Sequence, residues 1–418
     1  MTIEIRPIQE AELPGWIDCV STGFLERPAI DLIVDEVRTH WDLGRTLAAV
    51  DGGRIVGTAR TWPTELTVPG NARVNAGALT GVTVRPTHRR RGLLRGMLAA
   101  MHAAARDRGE MATLLYASEY PIYGRFGYGP ATQTCGWSVD LTTTGFHDAA
   151  GGRSGTIDLV PVDEQAIDPI RDVFEAWRRI QPGEIWRRPI TWRSDLGLAG
   201  AAWGDAPWKG FVAVHRDDAG TIDGYVRYHA DAKWEHRQPR HALIVDELHG
   251  LTGEAQVALW RFVASVDLAR SIRAERRSPA DRLPWLLTNA RAAETFEAGD
   301  SLWVTLHDIA AALETRTYER SGSLVLEVLV RDAGEDDAAA GRVRVALDAS
   351  PDGARAVETE RAADLTIDGG ALGAAYLGGT RLRDAVLARG WDEHRPGALA
   401  EADALLASRE PPWCTTSF

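Results

Sequence analysis

The sequence predicts an α/β (α+β) protein of three domains. Three observations carry that expectation. Strand-like alternation and helix-like spacing interleave along the whole chain. The composition is that of a globular protein, with 44% hydrophobic and 25% charged residues. The 418 residues exceed a single domain of about 100–200 residues. Boundaries are expected at 1–147, 148–294 and 295–418, with HDAAGGRSG, 147–155, as the first linker.

In the first domain IEIRP, 3–7, alternates as a short strand. AELPGWIDCVSTGF and PAIDLIVDEVRTHW have helical spacing. RTLAAVDGGRIVGTARTWPTELTV reads as two strands about the turn Asp51-Gly52-Gly53. VNAGALTGVTV, 74–84, is a further strand. GLLRGMLAAMHAAARDRG, 92–109, is a strong helix with Gly109 as its stop. MATLLYAS is a buried strand, and YPIYGRFGYGPAT a short helix or turn leading into another strand.

The second domain echoes this order without residue-level repetition. GTIDLVPV is a strand and IDPIRDVFEAWRRI a helix; GFVAVHR, TIDGYVRYHA and HALIVDELHG are strands. The helix EAQVALWRFVASVD and a strand at LPWLLTN complete it. In the third domain LWVTLHDIAAALETRTY leads into the alternating strands SLVLEVLV and GRVRVALDA. Small residues follow in LTIDGGALGAAYLGG, then the helix ALAEADALLAS and the tail REPPWCTTSF.

The net charge of -12 argues against a nucleic-acid partner. Cys19, Cys135 and Cys414 fit neither a disulfide framework nor a metal pattern, so no metal and a reducing cytoplasm are expected. The opening MTIEIRPIQEAELPGW lacks the apolar core of a signal peptide, which leaves secretion open but without a visible signal. No window approaches the roughly 18 apolar residues of a membrane span.

Against this acidic background GVTVRPTHRRRGLLRGML, 81–98, concentrates basic residues where a strand hands over to a helix. The first N–H groups of a helix lack partners and its dipole is positive there, which makes the turn an anion site. Arg89, Arg90, Arg91 and Arg95 add guanidinium forks, and Gly92 lets a ligand approach the backbone closely. The arrangement suits a pyrophosphate but is neither a P-loop nor a GxGxxG turn. On spacing alone, the alternative is a solvated, arginine-rich helix start.

R-x-x-G at Arg89–Gly92 resembles the coenzyme A signature of the GCN5-related N-acetyltransferases (GNAT). VTVRPTHRRRGLLRGML, with YASEYPIYGRFGYGPAT after it, resembles the Eis-like (enhanced intracellular survival) branch, in which a residue such as Leu94 is usual where the general signature has a small one. The resemblance covers the whole chain. It implies a catalytic GNAT domain, a second GNAT-like domain, and a sterol-carrier-protein-like domain that delivers the tail to the active site. The implied activity is acetyl-CoA-dependent N-acetylation of small polycationic amines, aminoglycosides being the family's typical acceptors, by a homo-hexamer.

The resemblance also implies residue roles. Val82, Thr83 and Val84 would pair with the pantetheine amides; Arg89 to Gly92, with Leu93, Leu94 and Arg95, would bind the rest of the cofactor. Ser118 and Glu119 align with cofactor-contacting positions, Tyr123 with the proton donor, and the α-carboxylate of Phe418 with the proton acceptor. A phenol near 10 giving its proton to a thiolate near 8.5 is uphill by roughly 2 kcal/mol. Tyr123 therefore either hydrogen-bonds the sulfur or has its pKa lowered. Phe24, Glu26, Asp35, Glu36 and Trp41 would line the acceptor pocket. The ordinary alternatives are a core aromatic for Tyr123, a helix cap for Ser118 and Glu119, solvated helix faces for the pocket residues and a frayed end for Phe418. The stiff, apolar PPWC argues against fraying. DELHGLTGEAQVALW lacks the basic turn, so no second coenzyme A site is expected. Two other functions compete: acetylation of protein or peptide lysines, and a non-enzymatic lipid carrier or interaction protein.

Overall fold

The computed structural model describes residues 3–200, 206–331 and 341–418. Its first sheet runs β1 (Glu4–Pro7), β2 (Thr46–Asp51), β3 (Arg54–Thr67), β4 (Arg73–Val84), β5 (Ala112–Tyr116), then Leu302–Leu306 and the short β6 (Gly129–Pro130). Neighbours are antiparallel except β4 and β5. Alternation along β2 assigns its two faces. Ala48 and Val50 pack under α1 (Leu13–Gly23) and α2 (Ile30–Val37), whereas Leu47 and Ala49 pack under α3 (Leu93–Asp107). α3 buries Leu93, Met97, Leu98, Met101 and Ala105, one apolar stripe at helical spacing. The short α4 (Tyr120–Tyr123) follows β5.

The second sheet contains β7 (Gln133–Asp140), β8 (Thr156–Val160), β9 (Phe211–Arg216) and β10 (Ile222–Asp231). Its order is Ala293–Asp300, β7, Ala269–Arg277, His241–Gly250, β10, β9, β8. α5 (Glu164–Arg178) and the helix Gly253–Ser265 pack against it. A third sheet of five strands is built around Gly322–Val330, which pairs antiparallel with Gly341–Ser350 and parallel with Leu365–Asp368. One core joins this domain to the first sheet: Leu66, Ala76 and Leu114 cluster with Leu326, Val345 and Leu405. The small residues of the third domain serve that junction. A Cβ on Gly129 would stand 1.9 Å from the Gly370 carbonyl oxygen, so the helix Gly369–Ala375 approaches β6 backbone to backbone.

The sheets cross the boundaries expected from sequence. β7 lies before residue 147 yet pairs in the second sheet, and Leu302–Leu306 lies after residue 295 yet pairs in the first. One element is corrected. LPWLLTN is not a strand: Leu283–Leu286 forms a helical turn, with Pro284 in the first-turn position where its missing N–H costs nothing. The strand is Ala269–Arg277, whose nine residues bury only Ile272, Ala274 and Arg277. No helix among the described residues is long and apolar enough to cross a membrane.

Candidate active site

β4 and β5 pair at Ala76↔Ala112, Gly77↔Thr113 and Ala78↔Leu114, and then part. β4 continues to Val84 against β3 alone, with Thr83 opposite Thr58. The Arg85 N–H donates to the Val56 carbonyl at 2.8 Å. By alternation in an antiparallel pair, Thr83 turns its backbone groups to β3 while Val82 and Val84 turn theirs to the open cleft. Arg85 is not part of the anion turn. Its buried guanidinium donates to the Ile55 carbonyl at 2.9 Å and pairs with Asp18 of α1, fixing the end of β4.

The turn itself is built from two left-handed residues, Arg90 with φ 63° and Gly92 with φ 75°. Gly92 is the N-cap of α3 and has no side chain to shield the first N–H groups. Arg89, Arg90, Arg91 and Arg95 are exposed around it. Leu93 and Leu94 pack into the core beneath, which leaves their backbone N–H groups for a ligand. These residues fit the coenzyme A pyrophosphate: a bare helix start ringed by guanidinium forks beside a free strand edge.

Tyr123, the last residue of α4, is buried, its ring 6.0 Å from Tyr128 in a T-shaped contact, and it is not among the residues lining the cavity described below. Burial pushes its phenol up to about 12, offset in part by a hydrogen bond from Ser118 and reinforced by the charge of Glu119. Of the two options for Tyr123, the raised phenol favours hydrogen bonding to the sulfur over a lowered pKa; desolvation outweighs the help from Ser118. Ser118 and Glu119 are exposed, with Glu119 at the N-cap of α4. Tyr128 bonds His102 at 2.8 Å, and burial pulls the His102 imidazole down to about 4, with Arg106 adding to it.

The C-terminal tail is pinned, not frayed. The buried Glu184 carboxylate accepts from the Thr415 N–H and hydroxyl, each at 2.7 Å, and from the Thr416 N–H at 3.3 Å. Arg187 donates to the Thr416 hydroxyl at 2.8 Å and the Thr415 hydroxyl at 2.9 Å. The Tyr116 hydroxyl donates to the Thr416 carbonyl at 2.6 Å. The Phe418 ring then sits edge-on to Tyr116 at 5.0 Å and to Trp62 at 5.6 Å. Tyr116 is the last residue of β5, so the chain terminus lies where β4 and β5 part.

Upstream, Trp413 lies 4.7 Å over the Arg277 guanidinium, which pairs with Asp281 at 2.7 Å and bonds the Leu248 carbonyl at 3.1 Å. Arg277 thus bridges the second domain's own parallel strand pair. At the helix start that follows, Thr252 caps the Ala255 N–H and Glu254 takes the Gly152 N–H of the linker.

A cavity of about 520 Å³ opens between α2, β3, β4, the second domain and the tail. Glu36 and Trp41 line it, with Thr80 and residues 415–418. Phe24, Glu26 and Asp35 are not among its lining residues; they are exposed, and Asp35 pairs with Arg38 at 3.6 Å. Sequence reasoning missed Glu184, Arg187, Arg60 and Arg188. The last three line the cavity, and the sequence signal near Arg187 and Arg188 is the aromatic-flanked WRRPITW. Burial, and then the like charge of Arg188, pull the Arg60 guanidinium down to about 9.

Residues 4–131 match a family described as acetyltransferase (GNAT) domain, residues 183–299 a second such family, and residues 309–415 the sterol carrier protein domain. An uncharacterized N-acetyltransferase of Streptomyces avermitilis is 41% identical over 100% of this chain and 99% of its own. N-acetyltransferase Eis of Mycobacterium tuberculosis is 34% identical over 98% of each. The crystal structure of Eis1 from Mycobacterium abscessus superposes with a TM-score of 0.83 at 31% identity, over 99% of this chain and 100% of that one. Likeness of this extent, end to end, makes the chain an N-acetyltransferase of the Eis family, within the GCN5-related superfamily.

Proposed function

We propose that the protein moves the acetyl group of acetyl-CoA to a primary amine of a small polar molecule, with both substrates bound together. The observation that carries this reading is the parting of β4 from β5, with the arginine-ringed start of α3 on one side and the pinned C-terminus at its mouth. Acetyl-CoA supplies the activated thioester. Val82 and Val84 offer the pantetheine amides a free strand edge, and the α3 start with Arg89, Arg90, Arg91 and Arg95 offers the phosphates N–H donors and charge. Glu119, exposed at the N-cap of α4, is a further cofactor contact on family grounds.

Tyr123 holds its proton tightly. Giving it outright to a thiolate near 8.5, from about 12, is uphill by about 5 kcal/mol. The phenol instead lends a hydrogen bond to charge growing on sulfur, oriented by Ser118. The Phe418 carboxylate, near 3.5 in free peptides, is a weak base for an ammonium near 10. It orients the amine and accepts the proton as transfer proceeds. Glu36 on the cavity wall favours a cationic amine, polycations such as aminoglycosides being the first class to try on family grounds. A cytoplasmic homo-hexamer completes the proposal on family grounds, and light scattering checks the assembly.

The test is thiol release from acetyl-CoA against a panel of aminoglycosides, polyamines and lysine peptides. Amine-dependent release is expected. No release with any amine, together with no acetyl-CoA binding in calorimetry, overturns the reading.

A further inference from the structure

We infer that the acceptor brings a carboxylate of its own into this cavity, beside the amine that is acetylated, and seats it between Arg60 and Arg188. The inference rests on the acetyl-transfer reading above and narrows its substrate class. Arg60 is only 6% exposed, yet it lines the cavity, its guanidinium 4.2 Å over the Trp41 ring. Arg188 lies 4.8 Å over Trp62, and its Nε is buried without a hydrogen-bond partner. Among the described residues neither guanidinium makes an ion pair, with the Phe418 carboxylate or with any other. An unpaired buried cation is costly, and an aromatic face offsets only part of that cost.

The carboxylates across the cavity do not serve this pair. Glu247 holds Arg187 at 2.5 Å, and Asp195 holds Arg187 at 3.4 Å and Arg227 at 3.3 Å. Asp246 takes Trp208 and His229, each at 2.9 Å. The coenzyme A phosphates do not serve it either. Ala59 packs on the α3 face of the first sheet, so its neighbour Arg60 points to the opposite face. Two guanidinium forks against aromatic rings suit a planar oxyanion. Glu36 and the tail carboxylate remain for the ammonium. Together these groups match a zwitterion better than a polycation.

Thiol release with matched acceptors tests this: tyrosine against tyramine, histidine against histamine, and O-phosphoethanolamine against ethanolamine. The carboxylate member of each of the first two pairs is expected to have a kcat/KM about tenfold or more above its amine. Arg60→Met and Arg188→Met should each cut that ratio about tenfold, with melting temperature and acetyl-CoA affinity measured alongside. Arg188 is half-buried, so its variant keeps the test alive if Arg60→Met fails to fold. Calorimetry with the same pairs in the presence of coenzyme A should show the same order. No preference for the carboxylates, a preference for aminoglycosides, an unchanged ratio in Arg188→Met, or a preference for the phosphate member alone overturns the inference while leaving acetyl transfer standing. Failure of the underlying reading shows differently, as no turnover of any amine and no acetyl-CoA binding.

Discussion

Deleting Phe418 separates the catalytic use of the tail from its structural use. Glu184, Arg187 and Tyr116 hold the chain at Thr415 and Thr416, and the deletion touches none of those bonds. What goes is the ring between Tyr116 and Trp62, along with the position of the carboxylate. Two edge-on aromatic contacts are worth about 0.5–1.5 kcal/mol each. Burial of the partly exposed ring adds about 1–2 kcal/mol, so the loss is roughly 2–5 kcal/mol, still below a typical stability of about 5–15 kcal/mol, and the protein stays folded. The carboxylate, now on Ser417, falls short by up to about 3.5 Å. Misplacement by even 1 Å costs about a hundredfold, so thiol release should fall by at least that factor. A C-terminal tag, which turns the carboxylate into an amide, should do the same. Phe418→Tyr keeps ring and carboxylate and should be mild. Melting temperature and acetyl-CoA calorimetry, beside an N-terminally tagged reference, establish that each variant is folded. Full activity in the C-terminally tagged protein refutes the reasoning and removes the carboxylate from the chemistry.

Arg90→Ala combined with Arg95→Ala should raise the KM for acetyl-CoA far more than that for the amine, at about 1.5–3 kcal/mol per lost phosphate contact; unchanged calorimetric affinity would take the pyrophosphate away from this turn. Tyr123→Phe removes one hydrogen bond to the developing charge and should lower kcat about 10²–10³-fold with cofactor affinity kept, and near-normal kcat would return Tyr123 to the core. The buried His102 makes stability depend on pH. Unfolded chains take up the His102 proton below about 6.5, whereas the folded site resists until about 4. Its contribution is complete above the first value and is lost as pH falls to the second, for about 3 kcal/mol in all. His102→Gln should flatten the decline of melting temperature over this range, and an unaltered slope would assign it to other groups.

The first domain's elements were legible from local signals: the Asp51-Gly52-Gly53 turn between β2 and β3, whose strands are buried on both faces, and the helical stripe of α3. Alternation tells which face a residue takes, not which strand lies beside it. That is why the crossing of β7 and Leu302–Leu306 into other sheets left no trace in sequence. ARSIRAERR hid as a strand because it sits with mostly solvent-facing positions, and LPWLLTN misled because four apolar residues suit a turn of helix as well as a strand. In the site, the arginine turn, Tyr123 and Phe418 were readable as a contiguous motif and a terminus. Glu184 and Arg187 were not, since their meaning lies in contacts more than 200 residues away along the chain. Arg85 adjoins the basic run in sequence, but its buried guanidinium pairs with Asp18.

Leu302–Leu306 flanks β5 in the first sheet. On the ribosome β5 is made first, and nearly two hundred residues must follow before its neighbour exists. At about 5–20 residues per second, that is a wait of roughly 10–40 s. Through it the nascent first domain carries an open edge whose residues Ala112, Thr113, Leu114 and Leu115 are all destined for burial, the kind of edge that recruits foreign strands. A fragment cut at residue 147 would be arrested in that state for good. Expressed alone it should aggregate, and supplying the remainder of the chain in trans should rescue its solubility.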